Sequence, residues 1–315
     1  MEKAGAACIP SGYAAMEVNH MPRSIPRMMC IFCALLMLLA GALALPALAE
    51  SAITPLPIDD SPGYVPEASC YLPDNSGYED DSLSITIETT RAYDTTIMIA
   101  TIKIADPSQL RTAMAARYGS TSAVAGSSIA KRNNAVLAIN GDFFNFHNKG
   151  YLVRQGKLYR DRPDETYDTL IIDDKGDFHI ITATTKEKLD AFEGVMVNTF
   201  TFGPGLIVDG MKTETFSGGE IVPDKKTQRM CIAQTGPLSY LCVATEGPEN
   251  KNSVGLTLPE MTEFMAGLGC QNAYNLDGGS SSTMVLNNKK INALDTGKVR
   301  QVCDIVYFAT AIEAK

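Results

Sequence analysis

The sequence predicts an α+β fold, a single compact domain with a mixed or antiparallel sheet and interspersed helices. Short runs rich in Ile, Val and Thr dominate the chain, at least three helical patterns are scattered among them, and strand and helix do not alternate as a parallel sheet requires.

Residues 84–88 alternate apolar and polar, and residues 95–104 are rich in Ile and Thr, so both read as strands on a pleated surface. Pro107 opens a helix that runs to Tyr118, and small residues at helical spacing mark 122–132 before a buried strand at 135–139. Further strands are expected at 151–154, 170–173, 178–182 and 194–202, with a short helix at 186–192. Residues 230–233 and 240–244 pair as a hairpin about Gly236 and Pro237. Residues 258–268 carry Pro259 in the first turn and Gly269 just past the end, the clearest helix boundaries in the chain. Strands at 282–286 and 302–311 close the domain.

The folded domain is expected to occupy residues 83–315, after a leader at 1–49 and a Pro-rich extracytoplasmic linker at 50–82. In the leader Arg23 and Arg27 precede an apolar run at 31–45, and Ala47, Leu48, Ala49 form the small-x-small pattern cut by signal peptidase. Cleavage after Ala49 would make the protein secreted or extracytoplasmic. An uncleaved run would tether it to the membrane, the only membrane contact expected, and Met21 or Met28 is an alternative start. The linker holds Pro55, Pro57, Pro62, Pro66 and Pro73 among Asp, Ser and Gly, a composition unsuited to helix or sheet interiors, although Tyr64, Tyr71 and Tyr78 offer docking points.

A formal charge of -9 without any Lys/Arg cluster excludes a nucleic-acid partner, which needs cations grouped against phosphates. Of eight cysteines, Cys8, Cys30 and Cys33 fall in the leader. Cys231 and Cys242 flank the hairpin turn symmetrically, which suggests either a cross-strand disulfide or two buried thiols. With only His20, His147 and His179 and no Cys/His spacing, a zinc site is not expected.

The run Asn275, Leu276, Asp277, Gly278, Gly279, Ser280 stands between two apolar strands. Two adjacent glycines let a ligand approach the main chain, Asp277 is presented at a strand end, and the amides and hydroxyls behind it suggest an anion-accepting nest. By itself the run reads first as a polar hairpin turn, for which Asp-Gly is the commonest signal. Asn140, Gly141, Asp142, Phe143 and Phe144 end another apolar strand with an acid and two rings that either stack on a sugar or fill the core. A tight turn at Gly203-Pro204, an acid-glycine pair at Glu246-Gly247, and Arg229 and Arg300 complete the set.

In this order the segments resemble the phosphodiester glycosidase family from about Asn140 to the C-terminus. The resemblance implies hydrolysis of a sugar-1-phosphodiester, of N-acetylglucosamine or a related sugar, in a cell-wall, exopolysaccharide or other glycan. It differs from the family pattern at Ser280, Asp142, Glu246 and in the block after Arg229. On this reading Asp277 stabilises or attacks the cationic sugar carbon, and Glu246 or Asp142 is the second carboxylate. Arg229 or Arg300 takes the phosphate through a planar fork. Asn140 and Asn275 either meet sugar substituents or cap turns, and Gly141, Gly278, Gly279 and Ser280 complete the binding set. No cofactor is expected, and a divalent cation on Asp142, Glu246 and Asp277 stays open without loop spacing to support it. The alternative is a non-catalytic wall- or glycan-binding module on the same fold. A serine hydrolase built on Ser280, Ser281 or Ser282 lacks the Gly-x-Ser-x-Gly elbow.

Overall fold

The structure is a computed structural model that describes residues 53–216, 221–248, 250–292 and 300–313. The expected leader lies outside them. Among the described residues no helix is long and apolar enough to cross a membrane.

The first half of the chain forms β1 (Gly77–Glu79), β2 (Leu83–Ala92), β3 (Thr95–Ile104), β4 (Leu110–Met114), helix α1 (Gly126–Arg132), β5 (Leu137–Asn140), β6 (Gly150–Arg154) and β7 (Lys157–Arg162). It continues with β8 (Thr169–Asp173), β9 (Phe178–Ile181), α2 (Lys186–Asp190), β10 (Met196–Phe200), β11 (Gly205–Val208) and β12 (Met211–Lys212). The rest comprises β13 (Met230–Gly236), β14 (Ser239–Thr245), α3 (Leu258–Gly267), β15 (Asn272–Leu276), β16 (Met284–Leu286), β17 (Lys289–Lys290) and β18 (Asp304–Phe308).

The fold is α+β, with strands in four sheets ordered β1-β2-β3-β14-β13-β15-β11-β12, β17-β16-β5-β18-β4, β10-β8-β9 and β6-β7. Every strand pair in them is antiparallel. Burial follows from the period-two alternation of these strands. Ile102, Ile232, Tyr274 and Leu276 of the eight-stranded sheet face Ile139, Met284, Val306 and Phe308 of the five-stranded sheet across a common core. The opposite face of the large sheet, with Ile99, Cys231 and Ala273, is covered by Leu258, Met261 and Met265 of α3. The opposite face of the smaller sheet, with Ala138, Val285 and Ile305, is covered by Ile129 and Ala130 of α1. The layers therefore run helix, sheet, sheet, helix. Helix α3 starts at a capping box in which the Thr257 side chain and Glu260 satisfy each other's backbone N–H groups.

One expectation is corrected and one open alternative is decided. The helix expected from Pro107 is only a one-turn 3-10 segment, Pro107–Gln109, after which Leu110 to Met114 pair with β18. Pairing with a buried strand outweighs local helical spacing there. The disulfide does not form, because Cys231 pairs with Val243 and Cys242 with Ile232. One residue of offset sends the two side chains to opposite faces of the sheet, Cys231 under α3 and Cys242 between the sheets, and both are free thiols. The turn at Gly203-Pro204 leads straight into β11, and Lys157 to Arg162, unassigned from sequence, forms β7.

The described part of the Pro-rich stretch lies on the domain instead of hanging free. Leu56 is buried in the cluster under α1, and the Thr54 amide donates to Ala311 O at 2.8 Å. Its prolines keep it extended, and the wholly buried Arg111 supplies donors for its carbonyls, reaching Pro57 O at 2.8 Å and Asp59 O and Ser61 O at 3.0 Å each.

Candidate active site

The ends of β5 and β15, one from each facing sheet, meet the start of β18. The Asn140 side-chain amide donates to Asp277 O at 2.7 Å, its Oδ1 accepts from the Thr283 amide at 3.0 Å, and the Asp277 amide approaches Gly141 O at 3.4 Å. Asn140 thus ties the Asp277 loop to the opposite sheet, so of its two expected roles the structural one is realised. Asn275 does the same on the other side, donating from its side chain to Gly203 O at 2.7 Å.

The loop after β15 needs its two glycines for different reasons. A Cβ on Gly278 would lie 2.6 Å from Gln228 O, and Gly279 sits at φ +58. The expected anion nest is largely consumed internally: the amides of Gly279, Ser281 and Ser282 donate to Gln228 O, Gly278 O and Gly279 O. Ser280 stays half-buried at the surface of this turn.

Beside this loop lies a small pocket of ≈ 20 Å³, lined among others by Asp277, Arg300, Phe143, Phe146 and Asp304. Burial pushes the Asp277 carboxyl above the ordinary carboxylate range, opposed by a hydrogen bond from Ser281, the nearby Arg300 charge and the Gly278 amide. Arg300 is exposed at the rim. Phe143 and Phe146 stack with centroids 4.4 Å apart as one apolar wall, whereas Phe144 goes to the core. Phe143 holds φ 68, a left-handed conformation disfavoured for a bulky residue.

Three of the expected residues are placed elsewhere. Asp142 is buried, with one carboxylate oxygen on Arg154 at 2.9 Å and the other accepting from the Thr201 amide at 2.9 Å, so it is not a free base facing the pocket. Glu246 accepts from Ser253 Oγ at 2.8 Å and does not line this pocket. Arg229 donates to Leu256 O at 3.0 Å and Lys225 O at 2.8 Å, and burial lowers its pKa to about 10. Its fork binds a backbone loop, leaving Arg300 as the arginine of the pocket.

Asp304 was not anticipated. It lines the pocket, is buried, and receives Arg154 Nη2 at 2.8 Å. A Cβ on Gly141 would lie 2.3 Å from its Oδ1, so Gly141 is the residue that admits this carboxylate. Arg154 thus sits between two buried acids, one positive charge for two carboxyls, and burial holds the Asp304 carboxyl above the normal range. The signal in the sequence was an acid opening an otherwise apolar strand four residues after Arg300. Among the described residues no cluster of His, Cys, Asp and Glu is arranged to hold a metal ion.

A family model described as phosphodiester glycosidase matches residues 133–309, which span β5 through β18. Among curated proteins, an uncharacterized SPbeta prophage-derived protein, YomE of Bacillus subtilis (strain 168), is 26% identical over 192 residues, 59% of this chain. The match spans only 30% of that relative's length. Among solved structures, the catalytic domain of zebrafish N-acetylglucosamine-1-phosphodiester alpha-N-acetylglucosaminidase, auto-inhibited by its pro-peptide, superposes with a TM-score of 0.60. That match covers 78% of this chain and 86% of the zebrafish chain at 15% identity, a likeness of fold. A hypothetical protein from Synechocystis gives a TM-score of 0.50 at 16% identity over 72% of this chain and 62% of its own.

Proposed function

The chain belongs to the phosphodiester glycosidase family, and from that premise we propose that it hydrolyses a sugar-1-phosphodiester in the pocket floored by Asp277. The observation that carries this reading is the pairing of a half-buried carboxylate, Asp277, with an exposed arginine, Arg300, at one small pocket with an aromatic wall. Breaking the sugar C1–O bond develops positive charge at C1, which the Asp277 carboxylate stabilises or captures. The departing phosphate monoester is a stable anion and needs a cation more than a proton, which suits Arg300. Water then completes the hydrolysis at C1. Phe143 and Phe146 present apolar faces to the sugar.

Arg154 bridges Asp142 and Asp304 beneath the pocket and keeps Asp304 from moving. The leader pattern at 1–49 supports export, so the substrate would be a wall polymer, exopolysaccharide or sugar-phosphate decoration outside the cytoplasm. The test is release of free sugar from a panel of sugar-1-phosphodiesters by the purified protein and by Asp277→Asn. A loss of about 10³-fold or more in kcat is expected for the variant, the scale on which removal of a reacting group acts. Undiminished turnover in Asp277→Asn would overturn the assignment, and tight glycan binding without turnover by the native protein would favour the non-catalytic module.

A further inference from the structure

The 3-10 turn Phe144–Phe146 has two sides. Phe143 and Phe146 wall the Asp277 pocket, while Phe144, Asn145 and His147 wall a larger groove on the far side. This groove has a volume of ≈ 360 Å³ and adjoins a second hollow of ≈ 580 Å³, the two sharing Tyr118 and Tyr159. Both volumes suit a sizeable ligand, since small-molecule sites run to roughly 300–1,000 Å³.

The lining is unusual for an acidic chain. Arg117, Lys157, Arg160 and Arg162 stand on its walls against only two acids, Asp60 and Asp161. Tyr118 is 38% exposed, lies nearly parallel to Phe144 at 6.2 Å (interplanar 19°) and leans on Tyr159 at 5.2 Å, so a rigid aromatic face is offered to the groove. Rigid aromatic faces of this kind suit the C–H faces of sugars.

Arg160 makes the stronger case. It is only 9% exposed, and its Nη1 donates to Phe144 O at 3.0 Å and His147 O at 2.7 Å, which fixes the fork beside the groove. Its Nε is buried with no hydrogen-bond partner, and no carboxylate among the described residues lies in ion-pair contact with it. The acid whose charge acts on it, Asp142, is already committed to Arg154. A buried cation without a counter-charge is costly, and an oxyanion arriving in the groove would supply one. Arg162, two residues along β7, adds an exposed second fork.

We infer that this groove is the subsite for the aglycone arm of the substrate, a phosphate-bearing saccharide whose sugar face stacks on Tyr118 while its phosphate meets Arg160 and Arg162. The inference rests on the glycosyl phosphodiester reading for its role and on the groove alone for its ligand chemistry. Binding is therefore measured without turnover, by calorimetric titration of the full chain with a phosphorylated tetrasaccharide that has no scissile diester, and with its unphosphorylated counterpart. The phosphorylated form should bind at least tenfold more tightly. Tyr118→Ala with Arg162→Gln, both exposed and outside the Asp277 pocket, should remove at least a factor of ten and flatten the salt dependence of affinity. On two diesters with the same glycosyl group, the variant should raise KM for the phosphorylated tetrasaccharide aglycone and leave kcat on a methyl aglycone within twofold. Equal affinity of native protein and variant, equal affinity for the two tetrasaccharides, or no binding at all overturns the inference. Binding that depends on Tyr118 and Arg162 in a protein that hydrolyses no diester would leave the groove standing and remove the catalytic reading.

Discussion

Replacing Gly141 by Ala is a sharp test of the buried charge arrangement. Gly141 is not among the glycines with left-handed φ, so the backbone itself accepts Ala, and by reducing unfolded-state freedom the change would stabilise by about 0.4–1 kcal/mol. Space decides otherwise. The new methyl would lie 2.3 Å from Asp304 Oδ1 and 2.4 Å from Oδ2, against an ordinary carbon–oxygen approach of about 3.3 Å. The carboxylate must shift by about 1 Å, a distance that ruptures a hydrogen bond as tight as the one from Arg154 Nη2 at 2.8 Å. Disrupting a buried pair costs about 3–5 kcal/mol, and Arg154 keeps Asp142, so the lower end applies. The net expectation is a loss of about 2–3 kcal/mol, or about 4–12 °C in Tm for a domain of this size. Urea unfolding at pH 7 reads it directly. The partner variant Asp304→Ala removes the obstacle, so the double variant should be less destabilised than the sum of the singles by at least about 1 kcal/mol. A Gly141→Ala protein within about 0.5 kcal/mol of native, or strict additivity with Asp304→Ala, would refute the geometry.

Three further outcomes follow from the site. Because burial raises the Asp277 carboxyl above its unfolded value, the stability it contributes is present at low pH and lost as pH rises through the folded pKa. Asp277→Asn should therefore be relatively more stable at pH 7 than at pH 4, and the acid limb of native kcat/KM should lie above the ordinary carboxylate range. A pH-independent stability difference would contradict this. Arg229→Met should cost about 1–3 kcal/mol through the carbonyls of Leu256 and Lys225 left unpaired, with KM for a diester changed less than threefold. A large loss of activity at native stability would return Arg229 to the phosphate. Reductant should leave Tm unchanged, and Cys231, Cys242, Cys270 and Cys303, all buried free thiols, should react with a thiol reagent only after unfolding. A lowered Tm in reductant would expose a disulfide.

The parts of the fold that read clearly from sequence were those where local signals and burial agree. β3 begins and ends where its Ile/Thr run does, and α3 carries its own start and stop signals in Pro259 and Gly269. Where tertiary contacts overrule local pattern, the sequence misleads: residues 110–114 have helical spacing but complete a sheet edge against β18. The hairpin at Gly236-Pro237 was visible, yet its register was not, since a bulge between Gln234 and Gly236 shifts the pairing and separates the cysteines. Likewise the prolines of 55–73 correctly signal an extended segment, but nothing local reveals that Arg111 would be buried to hold it.

The pocket brings together Asp277 and Arg300, two of the residues expected from sequence, whereas the expected second carboxylates Asp142 and Glu246 do not line it and Asp304 does. Asp142 follows Asn-Gly at a strand end and Asp304 merely opens a strand, so motif reading prefers the first. Charge accounting inverts that preference. Arg154 is enclosed by Phe144 and Phe200 at 5.5 and 4.3 Å and can neutralise only one acid. Asp142 has, in addition, the Thr201 amide to stabilise its charge, while Asp304 borders the pocket with its carboxyl raised. Burial therefore raises the Asp304 carboxyl, on the pocket side of the arginine, to about 6. Below that value a protonated Asp304 can donate a hydrogen bond toward a substrate oxygen, whereas both Asp142 oxygens are taken up by Arg154 and the Thr201 amide. On this arrangement Asp304→Asn, which keeps a donor without the titration, should retain turnover and lose its dependence on pH near the Asp304 pKa, whereas Asp304→Ala should lose turnover; equal effects of the two substitutions in steady-state assays would rule out a donating role.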